Sequence, residues 1–212
     1  MTNIDQHLEN LSEIRNIMDR SSRFISLSGL SGIMAGVTAL VGAGLAYYRL
    51  NYGGDVSGYT ILDGLVVLDI NANAAFDLSI LAIGILLTAT FFGYFFTNRK
   101  AKKAGESVWN TSSKRMLVNM LIPLITGGAF CIIMMYHQLF GLIAPAMLLF
   151  YGLACINASH FTLTDIRYLG FCEIGLGLLN CFFLGYGLLF WTIGFGIMHI
   201  IYGTIMYLKY EK

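Results

Sequence analysis

Long apolar runs dominate the chain, and the few charged residues collect between them. A helix that crosses about 30 Å of hydrocarbon at 1.5 Å per residue needs about 20 apolar residues. Residues 24–48 and 78–97 form two such runs. Residues 116–164 contain no Asp, Glu, Lys or Arg. That length predicts two spans, joined at the polar trio 136–138.

The last apolar stretch, residues 168–208, contains one charged side chain, that of Glu173. A glycine-rich sequence at 185–187 divides it into two spans. The fold class is therefore predicted to be all-α: a polytopic membrane protein whose glycine-rich domain covers residues 24–208. The six predicted spans are about 24–48, 78–97, 116–136, 139–159, 168–186 and 188–208.

Residues 1–23 mix acidic and basic side chains and lack the apolar core of a signal peptide. Their apolar residues recur at helical spacing, which predicts a cytoplasmic amphipathic helix. Two interpretations stay open: the helix lies beneath the bundle, or it docks a partner chain. The apolar positions are Ile4, Leu8, Leu11, Ile14 and Met18.

The placement of Lys and Arg predicts the orientation, because positive loops stay on the cytoplasmic side. With both termini inside, twelve of the thirteen Lys and Arg residues lie on the inner side, six of them in a basic loop at residues 98–115. Only Arg49 lies outside. These observations predict a multi-pass protein of the bacterial cytoplasmic (inner) membrane, with both termini in the cytoplasm.

Composition supports a membrane protein and excludes other classes. The 212 residues are 57% hydrophobic and 12% charged, whereas soluble domains are roughly 25% charged. The net charge of +1 offers no basic excess for nucleic acid. High apolar content and low net charge also exclude disorder.

Small residues predict how the spans pack, since close approach replaces the hydrophobic effect in lipid. Small residues recur every three or four positions and form stripes along the predicted helices. Glu173 and His199 belong to two of these stripes, so their side chains are predicted to face neighbouring helices. Further glycine stripes predict a homo-oligomer. A faint repeat relates the first span to the fifth and the second to the sixth, so a duplicated hairpin is one interpretation. The stripes are Ser28, Gly32, Gly36 and Gly44; Glu173, Gly177, Cys181 and Gly185; and Thr192, Gly196, His199 and Gly203.

Glu173 and His199 are the main candidates for function, because ionisable groups within a span are costly. A carboxyl group in apolar surroundings favours its neutral form, which makes Glu173 a candidate proton-binding site. The alternatives are a neutral carboxyl that only links two helices and a carboxyl that snorkels to the inner interface. Asn180 is a candidate bridge between Glu173 and His199. Three further polar residues fall at the inner ends of the spans: Asn157, His160 and Asp165. They predict a polar pocket that opens to the cytoplasm. The alternative is that they form ordinary hydrogen bonds between helices.

Other chemistry has weaker support. Asp69, Asn71, Asn73 and Asp77 have the spacing of a calcium loop but lack its glycine and its glutamate, so they form a weak cation candidate beside the ordinary interpretation of an acidic loop. No second histidine matches the depth of His199, and no cofactor or other metal site is predicted. The four cysteines form no C-x-x-C pair. No hydrolase or nucleotide-binding motif is present, so no enzyme is predicted.

Residues 23–32 (RFISLSGLSG) and 167–179 (RYLGFCEIGLGLL), followed by 185–191 and 199–203, resemble a family of small uncharacterised bacterial polytopic membrane proteins. The resemblance implies the class of protein and no activity. Two functions stay open. The first is permeation or transport of a small solute or ion, with proton linkage as an option. The second is a membrane sensor or scaffold that engages a cytoplasmic protein.

Overall fold

The structure is a computed structural model. It describes residues 24, 27–53, 56–62, 65–70, 72–105 and 107–212, with the backbone alone for 56–62 and 65–70. The predicted amphipathic helix, residues 1–23, lies outside the described residues. The helices are α1 (Gly29–Tyr52), α2 (Ala72–Lys103), α3 (Thr111–Tyr136), α4 (Phe140–Ser159), α5 (Ile166–Phe182) and α6 (Leu184–Tyr210).

The predicted helical architecture is confirmed, and α1, α2, α3, α4 and α6 are each long and apolar enough to cross a membrane. α5 is shorter, at 17 residues. Its predicted span continued to residue 186, but the helix ends earlier because Phe183 leaves helical geometry, with φ −123° and ψ 58°. Residues Leu184–Tyr186 form a 3₁₀ turn that opens α6 instead.

α1 and α6 cross at glycine residues. A Cβ atom added to Gly36 would lie 2.6 Å from the carbonyl oxygen of Gly196, and one added to Gly32 would lie 3.0 Å from the Cα atom of Gly203. Backbones this close leave no room for a side chain. The predicted stripe at Gly32 and Gly36 therefore packs as expected, whereas Gly44 has no atom within 4 Å of an added Cβ.

α4 and α5 form a second close pair. A Cβ added to Gly152 would lie 2.7 Å from the carbonyl oxygen of Gly170, and the reverse substitution gives the same distance. About two turns further along α5, Gly177 faces Leu149 of α4. Together with α1 and α6, this pair forms the buried centre of the bundle, where Leu148 and Cys155 are fully buried.

α2 and α3 lie at the periphery. α2 packs on α1, where the side chain of Ile85 lies against Gly42. α3 packs on α4, where the side chain of Phe150 lies against Gly127. The apolar window of α2 is 0% buried and that of α3 is 6% buried. Such apolar exposure suits lipid rather than water.

A β-hairpin occupies the loop between α1 and α2, where the sequence pattern predicted no regular structure. β1 (Val56–Leu62) and β2 (Leu65–Ile70) pair antiparallel, with Leu62 opposite Leu65 and an irregularity between Val56 and Gly58. The segments are rich in valine, isoleucine and leucine, and the β-branched residues among them favour strands. β2 lies near the starts of α4 and α6.

The opposite end of the bundle is tied together by polar contacts. The backbone N–H of Phe24 donates a hydrogen bond to the carbonyl oxygen of Phe161 at 2.8 Å. This bond joins the chain before α1 to the connection between α4 and α5. The Glu211 carboxylate accepts hydrogen bonds from the Gly29 N–H and the Ser28 hydroxyl at the start of α1. Lys100, near the end of α2, lies 3.5 Å from Glu211. Helix ends predicted to share one side of the membrane therefore meet in the structure.

Candidate functional site

Glu173 lies on the buried face of α5, and its side chain is completely enclosed. Gly170, Gly177 and Asn180 are buried on the same face, whereas Cys181 is exposed. The predicted stripe advanced in steps of four residues. Each such step overshoots a turn of 3.6 residues by about 40°, so the second step leads to lipid. A step of three leads from Gly177 to Asn180 and stays inside.

The carboxyl group of Glu173 faces His199 of α6. Glu173 Oε1 and His199 Nδ1 are 3.5 Å apart, close enough for electrostatic attraction and too long for a good hydrogen bond. Neither carboxyl oxygen has a hydrogen-bond partner among the described residues. Gly194 makes room for the group, since a Cβ there would lie 2.5 Å from Oε2.

The hydrogen bonds of His199 define its tautomer. Nδ1 lies 3.0 Å from the carbonyl oxygen of Gly194, and a carbonyl only accepts, so Nδ1 carries a proton. Nε2 lies 2.6 Å from the Tyr151 hydroxyl of α4. In the neutral ring Nε2 accepts the hydroxyl proton. The arrangement joins α4, α5 and α6 at one buried point.

His199 follows a π-helical segment, Thr192–Met198, that interrupts α6. A π turn rotates the residues after it relative to a regular α-helix, and such segments recur at functional sites. Trp191, Phe195 and His199 stack at four-residue spacing across this segment, with ring centroids 5.1 and 5.8 Å apart. Tyr151 packs against Phe195 at 5.0 Å. Aromatic packing therefore holds the imidazole in place.

Three residues of this region were missing from the sequence prediction: Tyr151, Cys155 and Tyr202. The Cys155 thiol is buried beside the Tyr151 hydroxyl. The Tyr202 hydroxyl is also buried and has no hydrogen-bond partner among the described residues. The position of Tyr151 in the sequence could have marked it as a candidate. Tyrosines that lie at a membrane surface occur near helix ends, whereas Tyr151 lies in the middle of α4.

Asn180 was predicted to bridge Glu173 and His199, and the structure places it elsewhere. It follows Glu173 by seven residues, about 10 Å along α5. Its amide is fully buried and makes no side-chain hydrogen bond to the described residues. Asn180 and Glu173 are thus two separate buried polar groups on one helix face.

The other predicted pocket residues lie apart from Glu173. Asn157 and His160 are exposed. Asp165 accepts hydrogen bonds from Lys209 Nζ (2.7 Å) and the Tyr210 hydroxyl (2.9 Å). Partial burial alone would raise the pKa of Asp165, but these hydrogen bonds and the charge of Lys209 outweigh it and lower the pKa below its ordinary value. In the described part of the chain, none of the three residues bonds to Glu173 or His199.

The weak cation candidate is described only in part. Asn71 and the side chain of Asp69 lie outside the described residues. Asn73 is exposed, and Asp77 forms an ion pair with Arg49 at 2.8 Å. Across the side chains that the structure does describe, no three His, Cys, Asp or Glu residues gather as metal ligands.

Comparison of the chain with protein-family models, with curated proteins and with solved structures finds no match in any of the three. The function of the protein is therefore inferred from its own residues. They form a helical protein with several helices apolar enough to cross a membrane, as a multi-pass membrane protein requires, and with a carboxyl, an imidazole and a phenol enclosed between three of its helices.

Proposed function

We propose that the protein transports a small solute or ion across the membrane and that proton binding at Glu173 drives the cycle. One observation carries this proposal: the carboxyl group of Glu173 is 0% exposed and lacks a hydrogen-bond donor among the described residues. A carboxyl group that served only to link helices would be expected to hold a hydrogen bond. Ionisable groups inside membrane spans mark ion and proton pathways by default.

The charge on Glu173 changes the force between α5 and α6. A carboxylate attracts the Nδ1–H of His199, 3.5 Å away, and a protonated carboxyl attracts it weakly. His199 has an alternative acceptor in the Gly194 carbonyl. Protonation therefore favours the bond within α6, and deprotonation favours the contact between α5 and α6. Such a two-state contact is what a proton-linked conformational change requires.

Enclosure of the site favours a carrier over an open pore. Glu173 is fully buried and His199 is 6% exposed, so a proton or solute reaches them only when helices separate. The glycine contacts of α1 with α6 provide smooth surfaces for such movement. The π segment beside Glu173 supplies a local irregularity at which α6 can change its winding.

The membrane arrangement that we propose has six spans. α5, at 17 residues, is at the short end of the range that crosses a bilayer. Both termini then lie in the cytoplasm of a bacterial cell, on the side that holds twelve of the thirteen Lys and Arg residues. Reporter fusions after residues 52, 104, 137, 163, 183 and 212 test this topology, because six spans place these sites alternately outside and inside, with residue 212 inside.

We further propose a homo-oligomer. Added Cβ atoms at Gly84 and Gly93 on α2 and at Gly128 on α3 meet nothing within 4 Å. Glycine on an exposed membrane helix allows a second helix to approach closely. Cysteine cross-linking at position 93 in intact membranes tests whether α2 meets α2 of a second copy. Residues 1–23 remain the proposed contact for a cytoplasmic protein.

The test of transport uses purified protein in liposomes that contain a trapped pH-sensitive dye, with an imposed proton or potassium gradient between about pH 5 and pH 8. Wild-type protein should dissipate the gradient, and Glu173→Gln should abolish the pH-dependent part. Cys172→Ser is the matched control, because Cys172 is exposed on the same turn of α5. Equal flux in wild type and Glu173→Gln, or no flux in wild type, contradicts the proposal.

A second measurement separates the site from the transport. A hydrophobic carbodiimide adds to protonated carboxyl groups in apolar surroundings, and mass spectrometry locates the adduct. We expect Glu173 to be labelled more at low pH than at high pH. Labelling without flux would support the proton site and refute transport of the tested ions.

A further inference from the structure

A groove with a basic rim lies at the end of α2, far along the chain from Glu173. Its lining consists of one aromatic, one amide and three cationic side chains, and its volume is about 390 Å³. These residues follow one helix face, since they are spaced at intervals of three and four positions. The lining residues, named here the α2 groove, are Phe95, Asn98, Arg99, Lys102 and Lys103.

The three cations of the α2 groove carry charges that no carboxylate of the described residues neutralises. Arg99, Lys102 and Lys103 are exposed, and no carboxylate among the described residues pairs with them. Lys100 differs, because its ammonium group donates to the Leu27 carbonyl at 2.8 Å and lies 3.5 Å from Glu211. One lysine of the cluster thus holds α2 to the bundle, and the three others make no such contact with the described residues.

The depth of the α2 groove matches the lipid headgroups. At 1.5 Å per residue the 32 residues of α2 are about 48 Å long, longer than the roughly 30 Å of hydrocarbon. When its apolar stretch 78–97 fills the hydrocarbon, residues 98–103 lie at the level of phosphate groups. Phe91 and Phe95 continue the same face into the apolar region and are 62% and 49% exposed.

The geometry points to a binding site for an anionic phospholipid, with its phosphate among Arg99, Lys102 and Lys103 and its acyl chains along Phe95 and Phe91. Arginine and lysine bind phosphate oxygens through charge-assisted hydrogen bonds. Clusters of such residues next to a membrane span select anionic lipids. The apolar face of α2, which is otherwise unpartnered in the described structure, supplies the surface for the chains.

The experiment compares two variants that remove equal charge. Delipidated full-length protein is titrated with phosphatidylglycerol, and native mass spectrometry and thermal unfolding report binding. Lys102→Gln/Lys103→Gln should weaken binding about 30-fold, because each cation near an anionic surface contributes about fivefold. Lys114→Gln/Arg115→Gln, which removes two exposed charges outside the α2 groove, should weaken it far less. Lys102→Arg/Lys103→Arg should restore binding.

Two further ligands identify what is recognised. Phosphatidylcholine, which has the same chains and no net charge, should bind weakly to all variants. Inorganic phosphate, which lacks chains, should give no thermal protection at concentrations where phosphatidylglycerol does. Equal losses in the two double variants would overturn the proposal, as would equal binding of phosphatidylcholine. Protection by inorganic phosphate would assign the cations to a free anion instead.

Discussion

Gly194→Ala tests the close packing of the Glu173 carboxyl group on α6. The added methyl would lie 2.5 Å from Glu173 Oε2 and 2.5 Å from Leu148 Cδ2. Real Cβ atoms essentially never approach other atoms so closely, so both side chains must move. Each is fully buried, which leaves little space into which they can rotate.

The expected cost follows from these contacts. An extra methyl in a well-packed core costs about 1–3 kcal/mol in unfolding free energy. Alanine recovers up to about 1 kcal/mol through its higher helix propensity. The difference spans about 0–3 kcal/mol, and its middle, about 1.5 kcal/mol, is the expected net loss. The carboxyl group must also turn, which changes its 3.5 Å separation from His199 Nδ1 and should reduce the pH-dependent proton flux.

The assay is thermal unfolding in a detergent micelle, followed by the proton flux measurement in liposomes. Gly84→Ala is the control, because an added Cβ at Gly84 meets nothing within 4 Å. It should be neutral or slightly stabilising in detergent. If Gly194→Ala unfolds at the same temperature as Gly84→Ala and keeps full flux, then Glu173 does not pack against Gly194 as described.

Three more outcomes follow from contacts elsewhere. Gly36→Ala should destabilise more than Gly194→Ala, because its Cβ would meet the Gly196 carbonyl at 2.6 Å and a backbone cannot rotate away; unfolding temperatures of the two variants rank them. Glu211→Gln should cost about 1 kcal/mol by removing the charge that caps α1 and faces Lys100. Lys100→Met should cost less in that background than in wild type, as a double-mutant cycle would show, and the remaining cost is the lost hydrogen bond to the Leu27 carbonyl. Because the pKa of Asp165 is lowered, its stabilising effect is complete above its ordinary pKa of about 4 and disappears as pH falls through the lowered value. Asp165→Asn should therefore lower the unfolding temperature at pH 7 and not at the acidic end of a titration; an equal difference at both pH values would contradict this assignment.

Hydropathy predicted where the apolar segments lie, but not where the helices end. The second apolar run, 78–97, sits inside α2, which extends from Ala72 to Lys103. The third begins at 116, whereas α3 begins at Thr111, because Asn110 and Ser113 exchange hydrogen bonds in a capping box. Only the part of a helix that lies within the hydrocarbon core has to be apolar. The ends of a helix that extend beyond this core can be polar, so hydropathy does not show where the helix ends.

The inward placement of Glu173 and His199 followed from their small neighbours, and both are buried as predicted. Their partners could not be predicted in the same way. Tyr151 reaches His199 from α4, 48 positions earlier in the chain, and no local pattern in α4 indicates that contact. The π segment before His199 also shifts which residues face α5, and a pattern based on 3.6 residues per turn does not contain that shift.

Glycine spacing shows that a helix can be approached closely, and it does not identify the helix that approaches. The sequence match between the first and fifth spans aligns Gly29 and Gly36 with Gly170 and Gly177. All four lie at close crossings, yet α1 meets α6 and α5 meets α4. The matching glycines of α2 and α6 differ more, since Gly93 faces open space and Gly203 contacts the backbone of α1. Where two helices share a pattern but not an environment, the exposed copy is the one free to meet another molecule, and α2 is therefore the surface at which we propose the contacts with lipid and with a second subunit.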